Sequence, residues 1–204
     1  MLTSDQLEAA GWTGVWEHTL PGKEAKTFAL DDLRLDDSTA DYLASAAPGG
    51  VYGHQREAIA ATLADDDVCI STDTASGKSL CFYAAALELL AKEPTARILA
   101  LYPMRALARE QERKWSDALR HAAGSAKVGR IDGSVRGRGE RDAILDESNV
   151  IVMTPDVMHA WLLPNVGNKS ARKFLSMTRL VVVDEVHSYT GVFGSNAAYL
   201  FRRL

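Results

Sequence analysis

Two short runs of this chain carry residue types suited to phosphate chemistry. The first is Thr74-Ala75-Ser76-Gly77-Lys78-Ser79. It follows a β-branched stretch, Val68–Thr72, and precedes a helical pattern that starts at Lys78. A loop between a strand and a helix turns backbone N–H groups and the positive end of the helix toward an anion. A lysine at the position of Lys78 reaches the β- and γ-phosphates of a nucleotide, and the hydroxyl of Ser79 can ligate magnesium. The second run is Asp184-Glu185-Val186-His187, directly after Leu180-Val181-Val182-Val183. A carboxylate at the end of an apolar strand, Asp184, would hold magnesium directly or through water. Glu185 is then placed to orient or deprotonate an attacking water. Alone, the first run could be a chance match and the second a pair of acids capping a strand. Together and in this order they specify an ATPase site with Lys78 and Glu185 as its catalytic groups.

A third element, Tyr52-Gly53-His54-Gln55, lies about twenty residues before the loop. A glutamine amide matches the N6 and N7 edge of adenine in a bidentate way. The competing reading of Gln55 is a polar cluster that caps a helix. Two positions depart from the usual phosphate loop. Thr72 stands where a first glycine is common, and Asp73 puts a carboxylate near a polyphosphate.

These runs need a scaffold, and the spacing supplies one. Val68–Thr72, Arg97–Tyr102, Val128–Asp132, Val150–Thr154 and Leu180–Asp184 are expected as strands, nearly continuously apolar. Such strands suit a parallel sheet covered on both faces. Between them, residues 54–64, 78–92, 104–121, 139–147 and 155–163 carry helical patterns, with Pro103 and Pro155 where a first turn tolerates proline. Alternation of this kind predicts a doubly wound α/β fold with its ligand at the carboxyl ends of the strands. Residues 164–178 are expected as a longer basic surface loop. Residues 1–50 carry nine acids against three bases, net −6, which leaves +2 on the remainder of a chain whose total is −4. They are expected as an accessory segment and linker, with the nucleotide-binding domain over 51–204.

The overall charge argues mildly against a general nucleic-acid binder, but basic residues cluster locally. One group is Arg105, Arg109, Arg113 and Lys114, and another is Arg130, Arg136, Arg138 and Arg141. A solvated surface is the bland explanation for both. Cys69 and Cys81 are expected as buried, reduced thiols, with no metal-ligand spacing around them. Trp12, Trp16 and Trp115 are expected in a core or interface, and Met158, His159 and Trp161 in helix packing. No apolar run approaches a membrane span, and the N-terminus lacks the pattern of a secretory signal. The expectation is a cytoplasmic protein with no membrane partner.

The set Tyr52…Gln55, Thr74–Ser79 and Asp184–His187 resembles a superfamily 2 helicase of the DExH kind. Tyr102-Pro103-Met104-Arg105-Ala106-Leu107-Ala108 looks like its motif Ia, and Thr154-Pro155-Asp156 like motif Ib. The strings TASGKSLC at 74–81, TPDVMH at 154–159 and DEVHSYTGVFGSN at 184–196 are similar to the MrfA/Hrq group of DNA-repair helicases. The resemblance implies an α/β RecA-like P-loop domain with a mostly parallel sheet covered by helices on both faces, plus the N-terminal accessory segment. It implies ATP and magnesium as cofactors, held by Tyr52, Gln55, the loop 74–79, Asp184 and His187, with Ser79 and Asp184 as the metal ligands. It places Arg105, Gly133, Thr154, Pro155 and Asp156 along the phosphate backbone of a tracked DNA strand. His187 would couple the nucleotide site to a downstream motif III. Met104 replaces a threonine usual in motif Ia.

The motif III strand and a second RecA-like domain are not found in these 204 residues. The expectation is an incomplete domain whose missing half lies in a longer protein or a partner chain. The function expected is the ATP-binding part of an ATP-dependent DNA helicase or translocase in repair or genome defence, acting on single-stranded or partly duplex DNA. The alternatives are a nucleotide-dependent binding module without unwinding activity, or an RNA helicase.

Overall fold

The computed structural model describes residues 4–13, 26–72, 76–122 and 126–203. Its centre is a four-stranded parallel sheet in the order β4-β5-β3-β6, built from β3 (Arg97–Leu101), β4 (Val128–Arg130), β5 (Val150–Met153) and β6 (Thr178–Val183). Every residue of β3 and β5 is buried, as strands covered on both faces must be. Side chains alternate between faces with the period of two that a strand dictates. Ile98, Ala100, Tyr102, Val150, Val152 and Val182 face one layer of helices. That layer is α4 (Ser79–Lys92) and α5 (Arg105–Leu119). Leu99, Leu101, Ile151 and Met153 face the other. There they meet α6 (Arg138–Glu147), α8 (Lys169–Ser176), the turn at Met158–Leu162 and α9 (Gly191–Phe201).

Residues 26–50 are tied to this body. β1 (Thr27–Phe28) pairs antiparallel with β2 (Val51–Tyr52). α2 (Asp37–Ala46) starts on an Asp36 cap, and the Asp36 N–H donates to Glu88 Oε1 of α4 at 2.6 Å. Leu43, Val51, Ile59, Leu80 and Ala84 form a small separate core between α2, α3 (Gly53–Leu63) and α4. Ahead of them lies α1 (Ser4–Ala9).

Three expectations of local structure fail. Val68–Thr72 is not a strand: it pairs with no neighbour, Val68 is 41% exposed, and Cys69 is an exposed rather than a buried thiol. Its strand propensity is real, but a ladder needs a partner. On the described residues β6 is the edge of the sheet, with nothing paired on its outer side. Residues 164–178 are not a loop. Asn168 accepts from the N–H groups of Ser170 and Ala171 and starts α8, whose Ala171 and Phe174 are buried on one face. Three basic residues in eight masked that short amphipathic stripe. Trp12 is 64% exposed rather than packed, and Trp16 lies outside the described residues.

Trp115 is a core residue, as expected, and fully buried. Its Nε1–H donates to the Tyr102 hydroxyl at 3.0 Å, and its ring meets Tyr83 edge-on and Phe82 in a stack. Burial pushes the phenols of Tyr83 and Tyr102 far above their ordinary range, so both stay neutral donors. Trp115→Ala should cost about 3–5 kcal/mol by chemical denaturation, the range for emptying a buried aromatic site. A loss below about 1 kcal/mol would show that α5 is not anchored through this ring.

Candidate functional site

The phosphate loop is held by two helices rather than by a ladder. Gly77 has φ +75°, a conformation that favours glycine, and a Cβ there would lie 2.5 Å from Gln55 Nε2. Lys78 and Ser79 then open α4. Lys78 Nζ donates to the Thr72 carbonyl at 2.9 Å, and the Thr72 and Ser76 hydroxyls meet at 2.6 Å. The threonine that stands in place of a glycine thus braces the loop across its mouth. Thr74 and Ala75, with Asp73, lie outside the described residues.

Gln55 is buried and uses both ends of its amide. Nε2 donates to the Gly77 carbonyl at 2.9 Å and to the Ser76 carbonyl at 3.4 Å, and Oε1 accepts from the Tyr52 N–H at 2.8 Å. The helix-capping reading of Gln55 therefore describes this state, with a direct brace to the loop added. His54, which the sequence reading passed over, sits 3.1 Å from the Ser76 carbonyl through Nε2. The half-exposed Tyr52 ring stacks on it at 5.9 Å. The signal was the adjacency of His54 to Gln55 on the first turn of α3.

Asp184 follows β6, and its N–H donates to the Leu101 carbonyl at 3.0 Å, extending the β3–β6 register by one step. Its Oδ1 accepts from the Glu185 N–H at 2.8 Å. Burial raises the Asp184 carboxyl above its ordinary range, against the pull of that N–H and of the positive charges on Lys78 and Lys114. Glu185 is held in the left-handed region at φ +52°. That conformation is costly for a residue with a side chain and is found preferentially at functional positions. Glu185 Oε2 lies 3.2 Å from His187 Nδ1, at the start of a short 3-10 turn over Val186–Ser188. His187 thus pairs with the acid beside the strand end.

The other expected residues lie at neighbouring strand ends. Arg105 is exposed on the first turn of α5, and its guanidinium lies against Gly133, where a Cβ would sit 3.4 Å away. Met104 is the N-terminal cap residue of α5, extended, 63% exposed and without a capping side chain, so no hydroxyl covers that helix end. Asp132 fixes the Gly133 turn: its carboxylate accepts from Ser134 N–H at 2.8 Å and pairs with Arg130. Arg141 donates to the Val135 carbonyl at 2.7 Å and stacks on Trp161. Pro155 is buried in the first turn of α7 (Pro155–Val157), while Asp156 is exposed. Met158 is buried as expected, and His159 is exposed. The Thr154 hydroxyl is buried without a partner, so its side chain is turned away from solvent here.

A core sheet of this topology, a phosphate loop at the start of α4 and paired acids at the end of β6 define an α/β nucleotide-binding domain. The family model for the DEAD/DEAH box helicase matches residues 52–204, and the chain belongs to that family. It is 40% identical over 155 residues to the ATP-dependent helicase HRQ1 of Saccharomyces cerevisiae, covering 75% of this chain and 14% of that protein. It is 29% identical over 187 residues to the ATP-dependent helicase YprA of Bacillus subtilis, covering 92% of this chain and 24% of that protein. The crystal structure of the helicase MrfA bound to DNA and AMPPNP superposes with a TM-score of 0.82 at 27% identity, over 96% of this chain and 27% of that one. The chain thus spans roughly a seventh to a quarter of the length of these relatives.

Two outcomes test the site. Gly77→Ala should abolish nucleotide binding and destabilise the chain by about 1–3 kcal/mol, the usual cost of an unfavourable backbone conformation; isothermal titration and denaturation check both. Asp184→Asn should raise the melting temperature without nucleotide at neutral pH, because a carboxyl whose pKa is raised in the fold opposes folding once pH exceeds its ordinary range. The same variant should lose the magnesium dependence of nucleotide binding. A lower melting temperature would contradict the burial argument.

Proposed function

We propose that this chain is the ATP-binding part of an ATP-dependent DNA helicase or translocase. The observation that carries the proposal is the placement of Lys78 at the start of α4 on the phosphate loop together with Asp184 and Glu185 one step past the end of β6. The residues fit a nucleotide with magnesium. Gly77 lets the chain turn at φ +75° into α4, whose N-terminus would face the phosphates, and Ser79 and Asp184 are hard oxygen donors of the kind magnesium selects. ATP supplies the phosphoanhydride bond whose hydrolysis drives movement.

In this reading Lys78 leaves the Thr72 carbonyl and neutralises phosphate charge. Ser79 and Asp184 hold the metal, and Glu185 accepts the proton of the attacking water. Tyr52 and Gln55 face the adenine; since both amide ends of Gln55 are engaged, one hydrogen bond must be exchanged for that contact. His187 releases Glu185 as it passes the signal onward. Arg105, the Gly133 backbone, Pro155 and Asp156 line the strand, and Thr154 shapes that turn from within. DNA rather than RNA is favoured by the MrfA structure, described as bound to DNA. A role in DNA repair or genome defence is the reading supported by the resemblance of residues 74–81, 154–159 and 184–196 to the MrfA/Hrq group.

Hydrolysis needs a second wall. β6 carries an apolar, unpaired outer edge, and residues 68–72 lie without a ladder. A further strand between them, and a second RecA-like domain over the open site, would complete the enzyme.

The test is DNA-stimulated ATPase of the complete protein. Glu185→Gln should lower kcat by about 10²–10⁴-fold with nucleotide binding retained, the range for losing a positioned general base. Lys78→Ala should weaken nucleotide binding itself. Unchanged turnover in both variants rejects the mechanism. Nucleotide binding without turnover in the wild-type complete protein selects the non-unwinding module instead.

A further inference from the structure

Some surface cations of this chain have a carboxylate neighbour: Lys114 with Glu110, Lys127 with Glu147, Arg179 with Glu93, Arg120 with Asp117 and Arg56 with Asp32. Others, such as Lys169, Arg172 and Arg203, are exposed and form no ion pair among the described residues. What sets apart the flank of α5 beside Gly133 is that such cations cluster there. Arg105, Arg109 and Arg113 recur at every fourth residue, which sets them about 6 Å apart along one side of the helix. All three are exposed, and none forms an ion pair among the described residues. Arg136 and Arg138 follow Gly133 in the turn that Arg105 touches, and both are likewise exposed and unpaired.

Acids exist on this flank, but two are turned inward. Glu112, between Arg109 and Arg113 in sequence, bonds Arg130 Nε at 2.7 Å, and Asp132 pairs with the other side of the same guanidinium. One partly buried arginine thus neutralises two carboxylates that would otherwise screen the stripe. The exposed acids beside it are Glu140 near Gly137, Glu110, which pairs with Lys114, and Asp117, which pairs with Arg120. The turn itself is rigid, tied by Asp132 to Ser134 and by Arg141 to Val135. In a chain of net charge −4, five guanidinium groups without an ion pair on one flank concentrate positive potential there.

We infer that this flank is a second phosphate-binding track, running from the Arg105–Gly133 corner down α5 through Arg109 and Arg113 and across Arg136 and Arg138. Its ligand is the phosphodiester backbone of the bound nucleic acid beyond the segment at Arg105 and Pro155–Asp156. The inference rests on the nucleic-acid reading of that corner. Guanidinium groups without protein partners are suited to bidentate phosphate contacts. Such contacts fix position without reading sequence, and they answer to salt.

The experiment uses the complete helicase and two DNA strands: the shortest that stimulates its ATPase, and the same strand extended on both sides by unpaired nucleotides. Binding is followed by fluorescence anisotropy across a salt series. For wild type the extended strand should give the steeper slope of log K against log salt. In Arg109→Gln/Arg113→Gln that slope should fall by about 1.4, since each lost phosphate contact on a single strand is worth about 0.7. Affinity and slope for the short strand should match wild type, as should ATPase without DNA and the melting temperature. Arg136→Gln/Arg138→Gln should behave alike, and Arg109→Lys/Arg113→Lys should keep most of the slope. An unchanged slope on the extended strand overturns the second track, and so does an equal loss on the short strand. If wild type binds neither strand, the helicase reading fails with it; if it binds both with one slope, only the second track fails.

Discussion

The site depends on the register of three parallel strands. Leu101 pairs with Met153 on one side and with Val183 on the other, so β5, β3 and β6 end level. The ladder then continues one step beyond each strand: Tyr102 N–H to the Met153 carbonyl, and Asp184 N–H to the Leu101 carbonyl. That common end line delivers Arg105, Thr154-Pro155-Asp156 and Asp184-Glu185 to the same edge of the sheet. A slip of one residue in β3 or β5 would exchange its two faces and send side chains fitted to one helix layer against the other. Core packing and site geometry are therefore one constraint.

The phosphate loop stands outside that constraint. Residues 68–72 make no ladder, and the loop is placed by α4 behind it and by Gln55 and His54 on α3. Leu80 and Ala84 of α4 in turn pack with Leu43 of α2 and Ile59 of α3. The acidic N-terminal segment thus reaches the nucleotide site through one helix, by contact and not by charge. The two halves of the site differ in kind. The Asp184 side is set by main-chain pairing in the core, and the Lys78 side by side-chain bonds to carbonyl groups that a ligand can displace.

Much of this was legible in the sequence where the physics is local. Strands at 97–102, 128–132, 150–154 and 180–184 were marked by short, largely apolar runs, and Pro155 marked a helix start. Asp184-Glu185 fell at a strand end and Lys78-Ser79 at a helix start, as their spacing required. The failures are tertiary. Val68–Thr72 has the composition of a strand, but pairing belongs to two segments. α8 has its cap at Asn168 and its stripe at Ala171 and Phe174, yet eight residues with three bases carry too little periodicity. The bonding state of two expected site residues was equally out of reach: the Thr154 hydroxyl is buried without a partner, and both amide ends of Gln55 are engaged within the chain. In each case the residue type was read correctly and its partner was not visible.

Partner choice also explains the charge pattern. Arg130 and Arg109 are the same residue type within one cluster, yet one is enclosed by Glu112 and Asp132 and the other faces solvent alone. A count of charges treats them alike, and the net −4 hides the difference. What decides whether an arginine can meet a phosphate is whether a carboxylate already holds it, because breaking a partly buried pair leaves a charge uncompensated. Arg130 is therefore structural, fixing the Asp132 turn that presents Gly133 to Arg105. By withdrawing two acids from the surface, it also leaves the potential along α5 to Arg109 and Arg113. The two partly buried pairings of Arg130 thus shape both the turn and the field outside it.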